Sequence, residues 1–106
     1  MLRATRLGPR TVERYQIEGV DPEKRSFNRW VEVVRSARGY TAETGYEGLQ
    51  LMSLAYATPR QCLDDLVRQF HGKGFARLRT KLNMRGARYL AEREPWLDYP
   101  ERRLVG

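Results

Sequence analysis

Basic side chains dominate one stretch of the chain, and their chemistry suits the binding of a polyanion. Between Asp65 and Glu92 the sequence has no acidic residue but seven cations, namely Arg68, Lys73, Arg77, Arg79, Lys81, Arg85 and Arg88. The whole chain has 20 basic and 13 acidic residues and a formal charge of +7. Such an excess favours nucleic acid, acidic proteins or anionic lipid as partners.

The spacing of these cations predicts a β-hairpin. Over residues 76–82 apolar and basic residues alternate, which is the two-residue period of a half-buried strand. A turn over 83–86 and a returning strand over 87–93 would place Leu82 opposite Ala87, so that both apolar sets share a face. We predict that the basic side chains of this hairpin contact nucleic-acid phosphates; they are Arg77, Arg79, Lys81, Arg85 and Arg88.

The same basic face has two other interpretations. Solvated arginines can simply cover a sheet edge and discourage aggregation. A small arginine-dependent ribonuclease would need His71 or Tyr89 close to the cations, but Tyr89 is expected on the apolar side. For the same reason no aromatic ring is expected on the basic face, so the sequence does not predict base stacking.

A proline-bracketed aromatic segment near the end of the chain is the second candidate. Residues 95–100 contain Trp96 and Tyr99, and such side chains can anchor a protein partner. In that case the chain would be a protein-binding adaptor or accessory subunit. The segment can instead fold back onto the domain, and the sequence favours this arrangement.

No pattern in the sequence predicts a catalytic site, a metal site or a cofactor. Cys62 and His71 are single copies at opposite ends of a predicted helix, and a metal site needs more ligands than these. Asp64 and Asp65 are adjacent on that helix and therefore point apart, so we interpret them as complements of the helix dipole. One cysteine allows no intrachain disulfide, which fits a cytoplasmic location. No apolar run approaches the roughly 18 residues of a membrane span, so no membrane is expected as partner.

The elements that must position these side chains indicate a small single α+β domain of 106 residues. Antiparallel strands are predicted over 12–20, 26–35, 76–82 and 87–93, packed against one main helix over 59–71. The helix has the clearest signals, because Thr58, Pro59 and Gln61 form the start of a capped helix.

Two of these predictions had competing interpretations. Residues 26–37 have helical spacing as well, but their β-branched valines favour a strand. Residues 87–93 include good helix formers. The segment 38–48 is interpreted as a loop, and 49–57 as a buried strand or short helix. Outside the domain, assigned to 12–94, we expect a flexible basic arm over 1–11 and a tail over 95–106.

Overall fold

A seven-stranded antiparallel sheet and one helix make up the part of the chain that the structure describes. The computed structural model describes residues 11–90 and 92–100. In chain order the elements are β1 (Thr11–Val20), β2 (Ser26–Ser36), β3 (Gly39–Tyr46), β4 (Leu49–Met52), α1 (Pro59–Gly72), β5 (Ala76–Arg85), β6 (Arg88–Tyr89) and β7 (Leu97–Tyr99). The strands lie in the order β4–β3–β2–β1–β5–β6, and β7 also pairs with β5. This arrangement confirms the predicted α+β class.

The start of α1 is the one that the sequence predicts. The Thr58 hydroxyl accepts a hydrogen bond from the Gln61 amide at 3.3 Å, and the Gln61 side chain accepts one from the Thr58 amide at 3.1 Å. Pro59 occupies the first turn. The end of the helix differs slightly, because Gly72 still belongs to it and Gly74 is the glycine with a left-handed backbone, at φ +95°.

Asp65 has another role than the predicted one. Its carboxylate accepts hydrogen bonds from the Leu54 amide at 2.9 Å and the Tyr56 hydroxyl at 3.1 Å, and it is buried. Burial alone would raise its pKa, but these bonds and one from Gln69 lower it. Asp65 therefore fixes the connection into α1, and the dipole interpretation is wrong for this residue, since the first turn of α1 has no acid.

The segment from 38 to 48 is a strand and not the predicted loop. β3 forms hairpins with both β2 and β4. The turn into β4 consists of Glu47 and Gly48, whose φ angles of +51° and +82° are those of a tight hairpin turn. Of these two residues only Gly48 indicates a turn in the sequence, because glutamate seldom adopts a left-handed backbone. The strand interpretation of 26–37 is confirmed by β2.

The predicted hairpin of β5 is wrong in its register and length. β5 continues to Arg85, the turn is Gly86–Ala87, and β6 pairs Met84 with Tyr89. β6 ends at Tyr89, whereas the predicted strand runs to residue 93, of which Ala91 lies outside the described residues. The edge of β5 that the longer strand would use is occupied by β7. An edge of a strand can pair only once, so the tail excludes the predicted ladder.

Aromatic side chains join α1 to the sheet. Phe70 of the helix is fully buried and lies 4.8 Å from Phe75 and 5.9 Å from Phe27, measured between ring centroids. Tyr46 closes the cluster, at 5.2 Å from Phe27. Such ring pairs add stability beyond the buried area alone. This cluster and Ile17 place the core on one face of the sheet.

Two parts of the organisation fall partly outside the described residues. The predicted arm over 1–11 does so except for Thr11, which begins β1, and so do residues 101–106 of the tail. Within the described residues, no helix has the length and apolar character required to cross a membrane.

The turn from β1 to β2 is organised by one buried carboxylate. Asp21 accepts hydrogen bonds from the amides of Glu23 and Arg25, from the Arg25 guanidinium and from the Tyr46 hydroxyl. Burial alone would raise its pKa, but the bonds from Tyr46, Arg25 and Glu23 lower the pKa of Asp21 to about 2.

We predict that Thr58→Ala lowers the free energy of unfolding by about 1 kcal/mol, because an amide of the first turn of α1 loses its acceptor. Urea denaturation measures this change. The matched control is Thr41→Ala in β3, which leaves the cap intact. An unchanged midpoint for Thr58→Ala would contradict the capping geometry.

We also predict that Asp21→Asn destabilises the protein at neutral pH and has less effect in acid. The pKa of Asp21 is lowered in the folded state, so its contribution is present above the unfolded pKa of about 4 and is lost as the pH falls towards about 2. Urea unfolding in this pH range should show the stabilities of variant and wild type converging. The control is Glu23→Gln, an exposed acid in the same turn. A constant difference across this range would refute the role of the ionised carboxylate.

Candidate nucleic-acid interface

The sheet has one covered and one uncovered face, and this decides where the predicted cations lie. α1 and the core cover one face. The opposite face, which we call the outer face, carries polar and charged side chains from the three central strands; it includes Arg14, Gln16, Glu18, Trp30, Glu32, Arg79 and Lys81. No element among the described residues packs over it.

The five predicted cations do not share a face. Arg79 and Lys81 pair with Glu18 and Gln16 of β1 and lie on the outer face. Beyond them the register shifts, because Leu82 pairs with Tyr15 but Met84 already pairs with Arg14. Asn83 is the extra residue of this bulge, and an extra residue reverses the alternation of a strand.

Arg85 and Arg88 lie beyond the bulge and oppose each other at the end of the hairpin. Arg85 pairs with Glu13, so both arginines project from the side of the sheet that carries α1. The predicted neighbour of Arg88, Lys81, is on the other face. Arg77 is exposed and has a left-handed backbone, with φ +54°, at a second irregularity of the β1–β5 pairing.

Acidic side chains of β1 reduce the positive charge of β5. The Arg79 Nε donates to Glu18 at 2.7 Å, and the Arg85 Nε donates to Glu13 at 2.8 Å. Each glutamate is more than 60 residues from its arginine in the sequence. The sequence around β5, which has no acidic residue, therefore gave no sign of these ion pairs. Lys81 has no ion pair with any residue that the structure describes.

Glu13 also binds a tyrosine. Its second oxygen accepts a hydrogen bond from the Tyr15 hydroxyl at 2.6 Å. Burial, and then this bond to a carboxylate, raise the pKa of Tyr15 well above its ordinary value. The hydroxyl stays protonated, and the Glu13 charge is shared between Tyr15 and Arg85. Glu13, Tyr15 and Arg85 therefore form a hydrogen-bonded cluster with a structural role at the end of the sheet.

Aromatic rings lie among the cations of the outer face, which corrects the expectation from the sequence. The Arg79 guanidinium lies 4.3 Å from the centroid of the Trp96 ring, and the Lys81 ammonium lies 5.5 Å from it. Trp30 is 47% exposed, with the Arg14 guanidinium 5.3 Å from its ring. Tyr89 was expected on the apolar side, but it pairs with Met84 and is 63% exposed.

The tail brings Trp96 to this place by folding back. β7 pairs Leu97 with Thr80 and Tyr99 with Leu78. The Tyr99 hydroxyl lies 3.0 Å from the hydroxyl of Thr80, which is buried. Trp96 and Tyr99, the two residues predicted to bind a partner, are therefore both in contact with β5.

The remaining candidate residues form no reactive group. Cys62 is fully buried and its thiol donates to the Tyr40 carbonyl at 3.0 Å; burial raises its pKa. His71 is on α1, so the sheet separates it from Arg79 and Lys81. Among residues 11–90 and 92–100 no three histidine, cysteine or acidic side chains are grouped so that they could hold a metal ion.

A double-mutant cycle tests the position of the tail. Tyr99→Phe should cost about 1–3 kcal/mol of stability, because the buried Thr80 hydroxyl loses its partner. Thr80→Val should cost a similar amount, and the double variant should cost less than the sum. Additive effects in urea denaturation would show that the two hydroxyls do not interact, which would contradict the position of Tyr99 against β5.

Neither a family model, nor a curated protein, nor a solved structure matches this chain.

Proposed function

We propose that this protein binds nucleic acid through the outer face of its sheet. The observation that carries the proposal is Lys81, a cation in the centre of an uncovered face and without an acidic partner among the described residues. Arg79 and Arg14 lie on the same face. The formal charge of +7 would attract a polyanion to the molecule.

The interface differs from the hairpin that the sequence predicts. Arg79 and Arg14 already face Glu18 and Glu32 in ion pairs, so their charges are partly offset. Arg14 is also buried, which leaves Arg79 and Lys81 to contact phosphates. About two phosphate contacts would give a slope of log affinity against log salt of about −1.4 for a single strand. Phosphate contacts would position the ligand without reading its sequence.

The buried, reduced thiol of Cys62 is compatible with a cytoplasmic location, which we include in the proposal.

The second candidate function is a protein-binding adaptor. Met52 and Leu54 favour it, because they are 59% and 71% exposed at the end of β4 and just after it, and β4 is the edge strand of the sheet among the described residues. Exposed apolar side chains grouped at one place often mark protein contacts.

Charge variants on the two faces test the proposal. Binding of a labelled oligonucleotide is measured by fluorescence anisotropy, with salt varied from about 50 to 200 mM. Lys81→Gln should weaken binding and make the salt slope shallower by about 0.7, because one phosphate contact is lost. Glu18→Gln should strengthen binding, because it removes a negative charge from the outer face.

The matched control is Arg88→Gln, which removes one positive charge from an exposed residue on the other side of the sheet. It should leave the slope nearly unchanged. If Arg88→Gln weakens binding as much as Lys81→Gln, net charge attracts the ligand and the outer face is not the interface. If no oligonucleotide binds at micromolar protein in about 50 mM salt, nucleic-acid binding is refuted and the adaptor becomes the better candidate.

A further inference from the structure

We infer that the nucleic acid bound by the outer face is single-stranded and that its bases stack on the aromatic rings of this face, of which Trp30 and Tyr89 are exposed and Trp96 is half-buried. This inference rests on the proposed function and adds the class of ligand to it. It is carried by the positions of Trp30, Tyr89 and Trp96 relative to the cations.

Two tryptophans lie at the ends of one row across the sheet. In the register of β2, β1 and β5, Trp30 lies beside Gln16, and Gln16 lies beside Lys81. Trp96 continues the row, because its ring is 5.5 Å from the Lys81 ammonium. Three strand spacings of about 4.8 Å separate the backbones at the two ends by roughly 14 Å. Several nucleotides of a single strand can cross such a distance.

The row alternates ring, amide, cation and ring. Trp30 is 47% exposed, and Tyr89 offers a further ring, 63% exposed, on β6. The Gln16 side chain is oriented by a hydrogen bond that its carbonyl oxygen accepts from Asn83 at 3.2 Å. Lys81 would hold a phosphate between two stacked bases. Proteins that hold single strands without sequence preference combine aromatic rings, on which bases stack, with cations that contact the backbone.

Large exposed rings are otherwise unfavourable on this face. Water is in contact with nearly half of Trp30, although aromatic residues of this size are usually well buried. Arg14 and Arg79 lie near the rings of Trp30 and Trp96, so the rings are held in place by charged neighbours. The rings are therefore pre-positioned for a flat, uncharged group with a phosphate beside it.

A duplex does not fit these features as well. Its bases are stacked on each other inside the helix and offer no free ring face to a sheet. Duplex binding would use Lys81 and Arg79 for phosphates, and the aromatic rings would contribute nothing. The exposed aromatic residues therefore favour a single strand.

Three probes of equal length and phosphate number separate these possibilities. They are a thymidine single strand of about 12 nucleotides, an abasic single strand, and a self-complementary hairpin whose stem is duplex. Trp30 and Trp96 are the only tryptophans of the chain, so intrinsic fluorescence reports on this face without a label. We expect the thymidine strand to bind most tightly and to quench the fluorescence, and the abasic strand to bind weakly with little quenching.

Variants assign the stacking to particular rings. Trp30→Ala should weaken binding of the thymidine strand by roughly 5- to 150-fold, and Trp30→Phe should retain most of it. Neither change should alter binding of the abasic strand, which has no bases to stack. The matched control is Leu54→Ala, an exposed apolar side chain on the far edge of the sheet, which should have no effect. If Trp30→Ala does not fold, as circular dichroism would show, the three probes on the wild-type protein still decide.

The outcomes distinguish the two proposals. If the thymidine and abasic strands bind equally, or the hairpin binds more tightly than the single strand, stacking is refuted while nucleic-acid binding stands. If none of the three probes binds, both proposals fail.

Discussion

The structure depends on one constraint, namely that a single helix can cover only one face of the wide sheet. α1 lies on one face and buries Phe70 against Phe27 and Phe75, so the core residues of the strands, such as Ile17 and Val31, face that side. No helix or strand among the described residues packs over the other face, and most of its side chains must be compatible with water. Ion pairs meet this requirement, as in Arg14 with Glu32 and Glu18 with Arg79.

The return of the chain after α1 creates the candidate interface. β5 pairs with β1 and not with β4, the strand that precedes the helix. Gly19 permits the close approach, since a Cβ there would lie 2.6 Å from the Ala76 carbonyl oxygen. The consequence is electrostatic as well as structural, because β1 supplies glutamates that oppose the arginines of β5. Lys81 opposes Gln16 instead, and this places the unpaired charge in the centre of the face.

The tail completes the outer face. β7 is only three residues long, but it brings Trp96 onto Arg79. Cation–π contacts of this kind hold both partners in place. The overall charge of +7 is thus a poor guide to the local arrangement, since several of the cations are in ion pairs and Arg88 lies on the other side of the sheet. A mixed aromatic and basic surface suits a ligand that offers both bases and phosphates.

Local signals in the sequence determined the elements whose stability is local. Thr58, Pro59 and Gln61 are sufficient to predict the start of α1, because a capping box involves residues only three apart. The alternation of apolar and polar residues predicted β1 and most of β5, because side chains of a strand alternate between its faces whatever it pairs with. The α+β class follows from these elements.

Only the tertiary structure decided which side chains meet. The pairing of Glu18 with Arg79, the bulge at Asn83 and the position of Trp96 all depend on contacts between strands distant in sequence. A bulge reverses the faces of everything beyond it, so one extra residue separated Arg88 from Lys81. The propensities of single residues do not predict such pairings, because the partner and register of each strand depend on which apolar side chains the whole sheet buries. The cations were therefore predictable as a group, but their faces and partners were not.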